Sequence, residues 1–405
     1  CYRSVLVQGW PSGIGIGHGA LASISGIHSK GYNWHGTWVI SDSGLSPNPL
    51  DGNDSGGADN FGNNWNVIRK CFLVKENIDM VPDMDENTKT IIKAECTGLI
   101  AYRYMGMFYR YGGVPIVTKS LTSNDDLNIA RASLQETLDY TLQLCEEAIA
   151  GLPSEWPADQ TGRLTKGAVM AMKARVLMYA ARPLFNSTTP YLSYDHNELI
   201  SFGTADQDRW QDAISANEKV LEWAQLNGFE LINSGGSSGE PNPNAFKDYA
   251  TATSTPGNKE VILAYKYDET NQWNNYLSYY LNYSPYWTAN RWDTDNLGLL
   301  SNFLSNYYRE DGTDQSWPQV GDDAARPASD WLARIDAMEP RFKADHIGPG
   351  FDAANNPGDF NYSVEGWGRS LGNYGAQFPS GSGFGKGSGF SVKFFYQAGS
   401  RTWFE

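Results

Sequence analysis

Apolar residues recur at i, i+3, i+4 and i+7 along four stretches, 86–111, 133–152, 164–185 and 207–227, and that period predicts four amphipathic helices. Their ends are marked. Asp85 stands at an N-cap position before Glu86, and Ser133 has Glu136 three residues on in a capping-box arrangement. Gly112-Gly113-Val114-Pro115 and Gly151-Leu152-Pro153 read as stops. Small side chains (Ala148, Ala171, Ala174, Ala180, Ala213) alternate with large ones (Leu142, Leu177, Tyr179, Trp223), as stacked helical hairpins of tetratricopeptide type require, without a strict repeat period. The expected fold is mainly α, tetratricopeptide-like helical hairpins forming a scaffold with a loop-rich ligand-binding region. At least two and a half hairpins are expected between Asp85 and Asn227.

The flanks read differently. Residues 1–64 are rich in Gly, Ser, Asn and Trp and form an N-terminal loop region; 65–227 hold the scaffold; 228–405 are punctuated by Gly, Ser and Pro and read as loop-rich. Within that last part, 261–264 is a short apolar run, and a glycine-rich stretch leads into 391–396, the pattern of one strand. A single domain over 1–405 is expected.

With 405 residues, 40% of them hydrophobic, the chain can bury a large core. Its 31 Lys and Arg stand against 46 Asp and Glu, and a net charge of −15 repels phosphate backbones, which excludes nucleic acid as a partner. No run approaches the roughly 18 apolar residues that a membrane span needs. Cys71, Cys96 and Cys145 fall in helical patterns beside apolar neighbours, where Cys acts as a small hydrophobe, and are expected to be reduced. Cys1 matches the residue at which bacterial lipoproteins are cut and acylated, so lipidation there is the expected membrane anchor.

Residues 94–115, AECTGLIAYRYMGMFYRYGGVP, and 162–181, GRLTKGAVMAMKARVLMYAA, closely resemble the two signature helices of SusD/RagB proteins. Three shorter segments follow in the family's order: NKEVI at 258–262, similar to its N-x-E-V-I strand, Asp311-Gly312, and EPRF at 339–342. The resemblance implies a tetratricopeptide-like scaffold and non-catalytic capture of glycan at the outer face of the outer membrane. It also implies delivery to a SusC-like TonB-dependent barrel.

A binder of neutral sugar needs flat aromatic faces ringed by amides and carboxylates. Between Trp273 and Trp292 lie eight aromatics, where the chain's 13% aromatic content would place about three. Tyr276, Tyr279, Tyr280 and Tyr283 follow helical spacing, which is a buried stripe more often than a platform. Trp287 and Trp292 lie outside it, edged by Asn290, Arg291 and Asp293, and Tyr283 closes the set. The early segment offers Trp38, Asp42 and Trp65, and Trp65 could equally anchor its own helix. One ring covering about 60 Å² of sugar at ~25 cal/mol/Å² contributes about 1.5 kcal/mol, so two or three suit micromolar to millimolar capture.

Asp51, Asn53 and Ser55 match the opening of a calcium loop, but its twelfth position is Gly62 in place of a bidentate Glu, so a surface turn explains them as well. No cofactor is expected beyond that calcium candidate. No H-E-x-x-H zinc-protease pair is present. The alternatives to glycan capture are a peptide-binding RagB-like import lipoprotein and, with Asp293, Asp295 and Glu310 as its carboxylates, a helical glycoside hydrolase.

Overall fold

The computed structural model describes residues 61–237, 240–255, 257–264, 301–315, 333–347 and 391–392. These fall into two compact units, one built on Phe61–Glu230 and the segment from Val261, the other on Leu231–Glu260 and the described residues beyond 300.

The first unit is a run of antiparallel helices, α1 Phe61–Asn77, α2 Glu86–Tyr111, α3 Leu134–Gly151, α4 Lys166–Ala181 and α5 Asp208–Leu226. Each packs on its predecessor. The caps are those the residues dictate. The Asp85 carboxylate accepts from Thr88 N at 2.9 Å, Ser133 and Glu136 form a complete capping box, and Thr165 Oγ1 accepts from Ala168 N at 3.2 Å. Two hairpins, α2–α3 and α4–α5, lie between Asp85 and Asn227. The remaining half hairpin comes from α1, ahead of that span, because the helical pattern already begins at Phe61.

Small residues set the closeness of these helices. A Cβ added at Gly98 would touch Leu164 and Val169, one at Gly151 would lie 2.7 Å from Ala94 Cβ, and one at Gly167 would overlap the Trp223 ring. The core so formed includes Tyr104, Phe108, Met107, Leu134 and Leu164, all fully buried. A buried carboxylate at its edge is paired. Glu95, on α2, binds Arg163 through both carboxylate oxygens, and the guanidinium lies 3.6 Å over the Trp156 ring, fixing the α3–α4 connection. Cys71, Cys96 and Cys145 are free and buried, as expected for structural thiols.

In the second unit, α6 Ala245–Ser254 packs against α8 Pro340–Asp345, and α7 spans Ser301–Leu304. Buried Asp248 gathers the loop before α6 by accepting from Ser234 N, Ser234 Oγ and Asn242 Nδ2 at 2.7–2.8 Å. The Asp311-Gly312 turn is joined to the segment before α8 by Glu310 N to Ala337 O and Glu339 N to Tyr308 O, so these two family-like motifs are neighbours. Strand content is small: β1 His346–Ile347 pairs antiparallel with β2 Ser391–Val392, within the stretch that reads as a strand. Residues 258–262 form no strand. Asn258 instead donates to Ala252 O and Thr255 O at the end of α6, and Glu260 accepts from Ile232 N.

Candidate functional site

The scaffold holds the entry to α1 and the apolar run at 261–264. Phe61 and Trp65 at the entry to α1, and Ile262 and Leu263 ahead of residue 265, all pack against the same hydrophobic core. Around Trp65 the aromatics are joined edge to face: Phe61 at 5.5 Å, Tyr104 at 6.1 Å, and from Tyr104 to Tyr140 at 4.9 Å. Tyr104 OH donates to Pro115 O and accepts from Val117 N, which fixes the turn after α2. Asn64 is buried and accepts from Arg103 Nη1 at 3.2 Å. Trp65 is therefore half-buried and engaged with the scaffold.

Trp38, Asp42, Tyr283, Trp287, Asn290, Arg291, Trp292 and Asp293 lie outside the described residues, as do Asp51, Asn53, Ser55 and Cys1. Among the described residues no group of three His, Cys, Asp or Glu side chains could hold a metal. Nor is any described helix long and apolar enough to cross a membrane.

The described carboxylates that depart from their ordinary range are lowered by structural contacts. Asp85 is held down by Thr88, Glu136 by Ser133, Asp248 by Asn242 and Ser234, and Asp311 by Thr313. A glycosidase acid needs the opposite, a carboxyl raised by burial or a like charge. Burial pushes Cys145 up to about 12 and Tyr140 likewise to about 12, and neither is a nucleophile at neutral pH.

One surface escaped the sequence reading. Between α4 and α5 the chain leaves at Phe185 and returns at Ser201, and its neck is clasped. Phe202 N donates to Phe185 O at 3.0 Å, Asn186 Nδ2 to Asp206 O at 2.7 Å, and Asp206 N to Asn186 Oδ1 at 2.8 Å. The loop is also pinned to the end of α2, where Gly113 N donates to Leu199 O at 2.7 Å. A Cβ at Gly112, whose φ is +73°, would lie 2.1 Å from that same oxygen. The Gly-Gly after α2 is thus both a helix stop and the seat of a distant loop. From its projecting part, Tyr191 is 85% exposed and Tyr194 42%. The signal was present in the interleaving Tyr-Leu-Ser-Tyr-Asp-His-Asn at 191–197.

Residues 28–178 match the family model of SusD-like proteins described as starch-binding associating with outer membrane. Among solved structures, a SusD-like protein from Bacteroides fragilis NCTC 9343 superposes with a TM-score of 0.66 at 20% identity. The match covers 98% of this chain and 66% of that one, so this chain spans about two thirds of its length. A SusD-like carbohydrate binding protein from the same strain gives 0.54 at 16% identity, over 96% of this chain and 69% of its own. No curated protein matches the chain. The described helical fold is similar to that of these SusD-like proteins, and residues 28–178 match the family model.

Proposed function

We propose that the chain captures oligo- or polysaccharide at the outer face of the outer membrane without altering it, and passes it to a TonB-dependent barrel, with a lipid on Cys1 as its tether. What supports this reading is the SusD-like helical scaffold, whose core takes in Phe61, Trp65, Ile262 and Leu263, together with the match of residues 28–178 to the family model. Such a frame presents loop residues at low entropic cost, which favours capture. The platform we assign is Trp287 and Trp292 with Trp38, edged by Asn290, Arg291, Asp293 and Asp42. Calcium at Asp51, Asn53 and Ser55 would serve at most to shape that early loop.

Two measurements test the reading. A glycan array should show retention of at least one polysaccharide class, and empty arrays would remove the binding claim. Co-purification from detergent-solubilised outer membranes should recover a TonB-dependent barrel; recovery of the lone chain would remove the delivery step.

A further inference from the structure

We propose that the clasped loop between α4 and α5 is a second carbohydrate-contact surface, with Tyr191 and Tyr194 as its stacking rings; this rests on the glycan-capture reading above. Tyr191 faces water almost wholly and Tyr194 in large part, and this exposure has to be maintained against collapse of a twelve-residue loop, 187–198. Here it is maintained. The neck bonds between Asn186 and Asp206 and the seat of Leu199 on Gly112-Gly113 make the base of the loop part of the helical frame. Within the loop, Ser187 Oγ donates to Thr189 O and accepts from Thr189 N, closing a turn just ahead of Pro190 and Tyr191. Tyr194 is oriented in its own way: the His196 ring meets it edge-on at 5.9 Å, and His196 Nδ1 lies 3.2 Å from Glu198 Oε1.

The ligand class follows from what surrounds the rings. Asp195 and Glu198 are exposed beside them on a chain of net charge −15, which disfavours phosphate, acidic polysaccharide and anionic lipid. Ser193, Asp195 and Asn197 offer acceptors and donors of the kind that hydroxyl-rich ligands satisfy, and tyrosine faces cover pyranose rings. Only Leu192 adds an exposed aliphatic side chain to 187–198, too little for the apolar centre of a protein interface. Neutral sugar fits this chemistry better than a protein partner.

The test is native affinity electrophoresis of the full chain in gels containing soluble starch, laminarin, galactomannan or xyloglucan, comparing wild type with Tyr191→Ala and Tyr194→Ala. On the polysaccharide that retards wild type, each variant should bind about five- to thirty-fold more weakly, the scale of losing one aromatic contact. The melting temperature should be unchanged in Tyr191→Ala, whose side chain faces solvent, and little changed in Tyr194→Ala, whose ring is partly covered. Wild-type retardation with undiminished binding by both variants overturns the loop assignment and leaves glycan capture standing. No retardation of wild type on any of the four overturns both. Variants that keep full retardation yet lose co-purification with an outer-membrane barrel also overturn it, and assign the loop to a protein partner.

Discussion

Gly167→Ala is the substitution that most sharply tests how the second hairpin is built. Gly167 lies in the first turn of α4, and the added methyl would sit 2.1, 2.2 and 2.4 Å from three carbons of the Trp223 ring on α5. Ordinary contact is at about 3.5 Å, so the ring would have to retreat by more than ~1 Å. It has little room, being buried and stacked on Phe229 at a centroid distance of 5.3 Å. Overpacking of this kind costs about 1–3 kcal/mol, and the clash with an inflexible ring belongs at the upper end. Alanine regains about 0.5–1 kcal/mol of helix propensity, which leaves a net loss of about 2 kcal/mol. Urea unfolding followed by far-ultraviolet circular dichroism measures it. In a Trp223→Ala background the same substitution meets no ring and should be neutral or stabilising, so the cycle should give a coupling of about 2 kcal/mol. Equal costs in both backgrounds, or a more stable single variant, would refute the packing argument.

Removing Glu95 from its pair with the partly exposed Arg163 leaves a guanidinium that water still reaches, so Glu95→Ala should cost about 1–2 kcal/mol in the same urea assay, and no measurable loss would show the pair to be incidental. Asp125 is held down to about 2 by the Lys119 ammonium and by the Thr122 backbone and hydroxyl. Its depressed folded value means that its stabilising contribution is present above the ordinary 3.8 and is lost as pH falls through about 2; an NMR titration midpoint near 3.8 would contradict this. In the native chain Cys71, Cys96 and Cys145 should resist a thiol-reactive dye at neutral pH and react fully in urea, since all three are buried. Rapid native labelling at any of these positions would contradict their placement.

Local signals served the helices well because each is written within a few residues: Asp85, and Ser133 with Glu136, cap the helices their positions announce. What depends on distant partners was not legible. Gly112-Gly113 reads as a stop, yet its second role needs Leu199, which no local pattern connects to it. The strand expected at 258–262 is absent because Asn258 spends its amide on the carbonyls ending α6, while Ile262 and Leu263 are covered by packing against the helices. For Trp65 the composition says nothing of its edge-to-face contacts with Phe61 and Tyr104, the second of them far off in the chain. Two tyrosines at 191 and 194 barely rise above a 13% aromatic background, and only the clasped neck reveals why they stay exposed.

The central claim is capture without chemistry, and one titration tests it most directly. The full chain and its Trp287→Ala and Trp292→Ala variants are titrated by calorimetry with the polysaccharide that an array selects, and the cell contents are then assayed for new reducing ends. The account predicts wild-type binding at micromolar to millimolar affinity, a loss of about 1–3 kcal/mol in each variant with little change in melting temperature, and no reducing ends after prolonged incubation. Reducing ends that accumulate with wild type and vanish when a single carboxylate, such as Asp293 or Glu310, is replaced would contradict it.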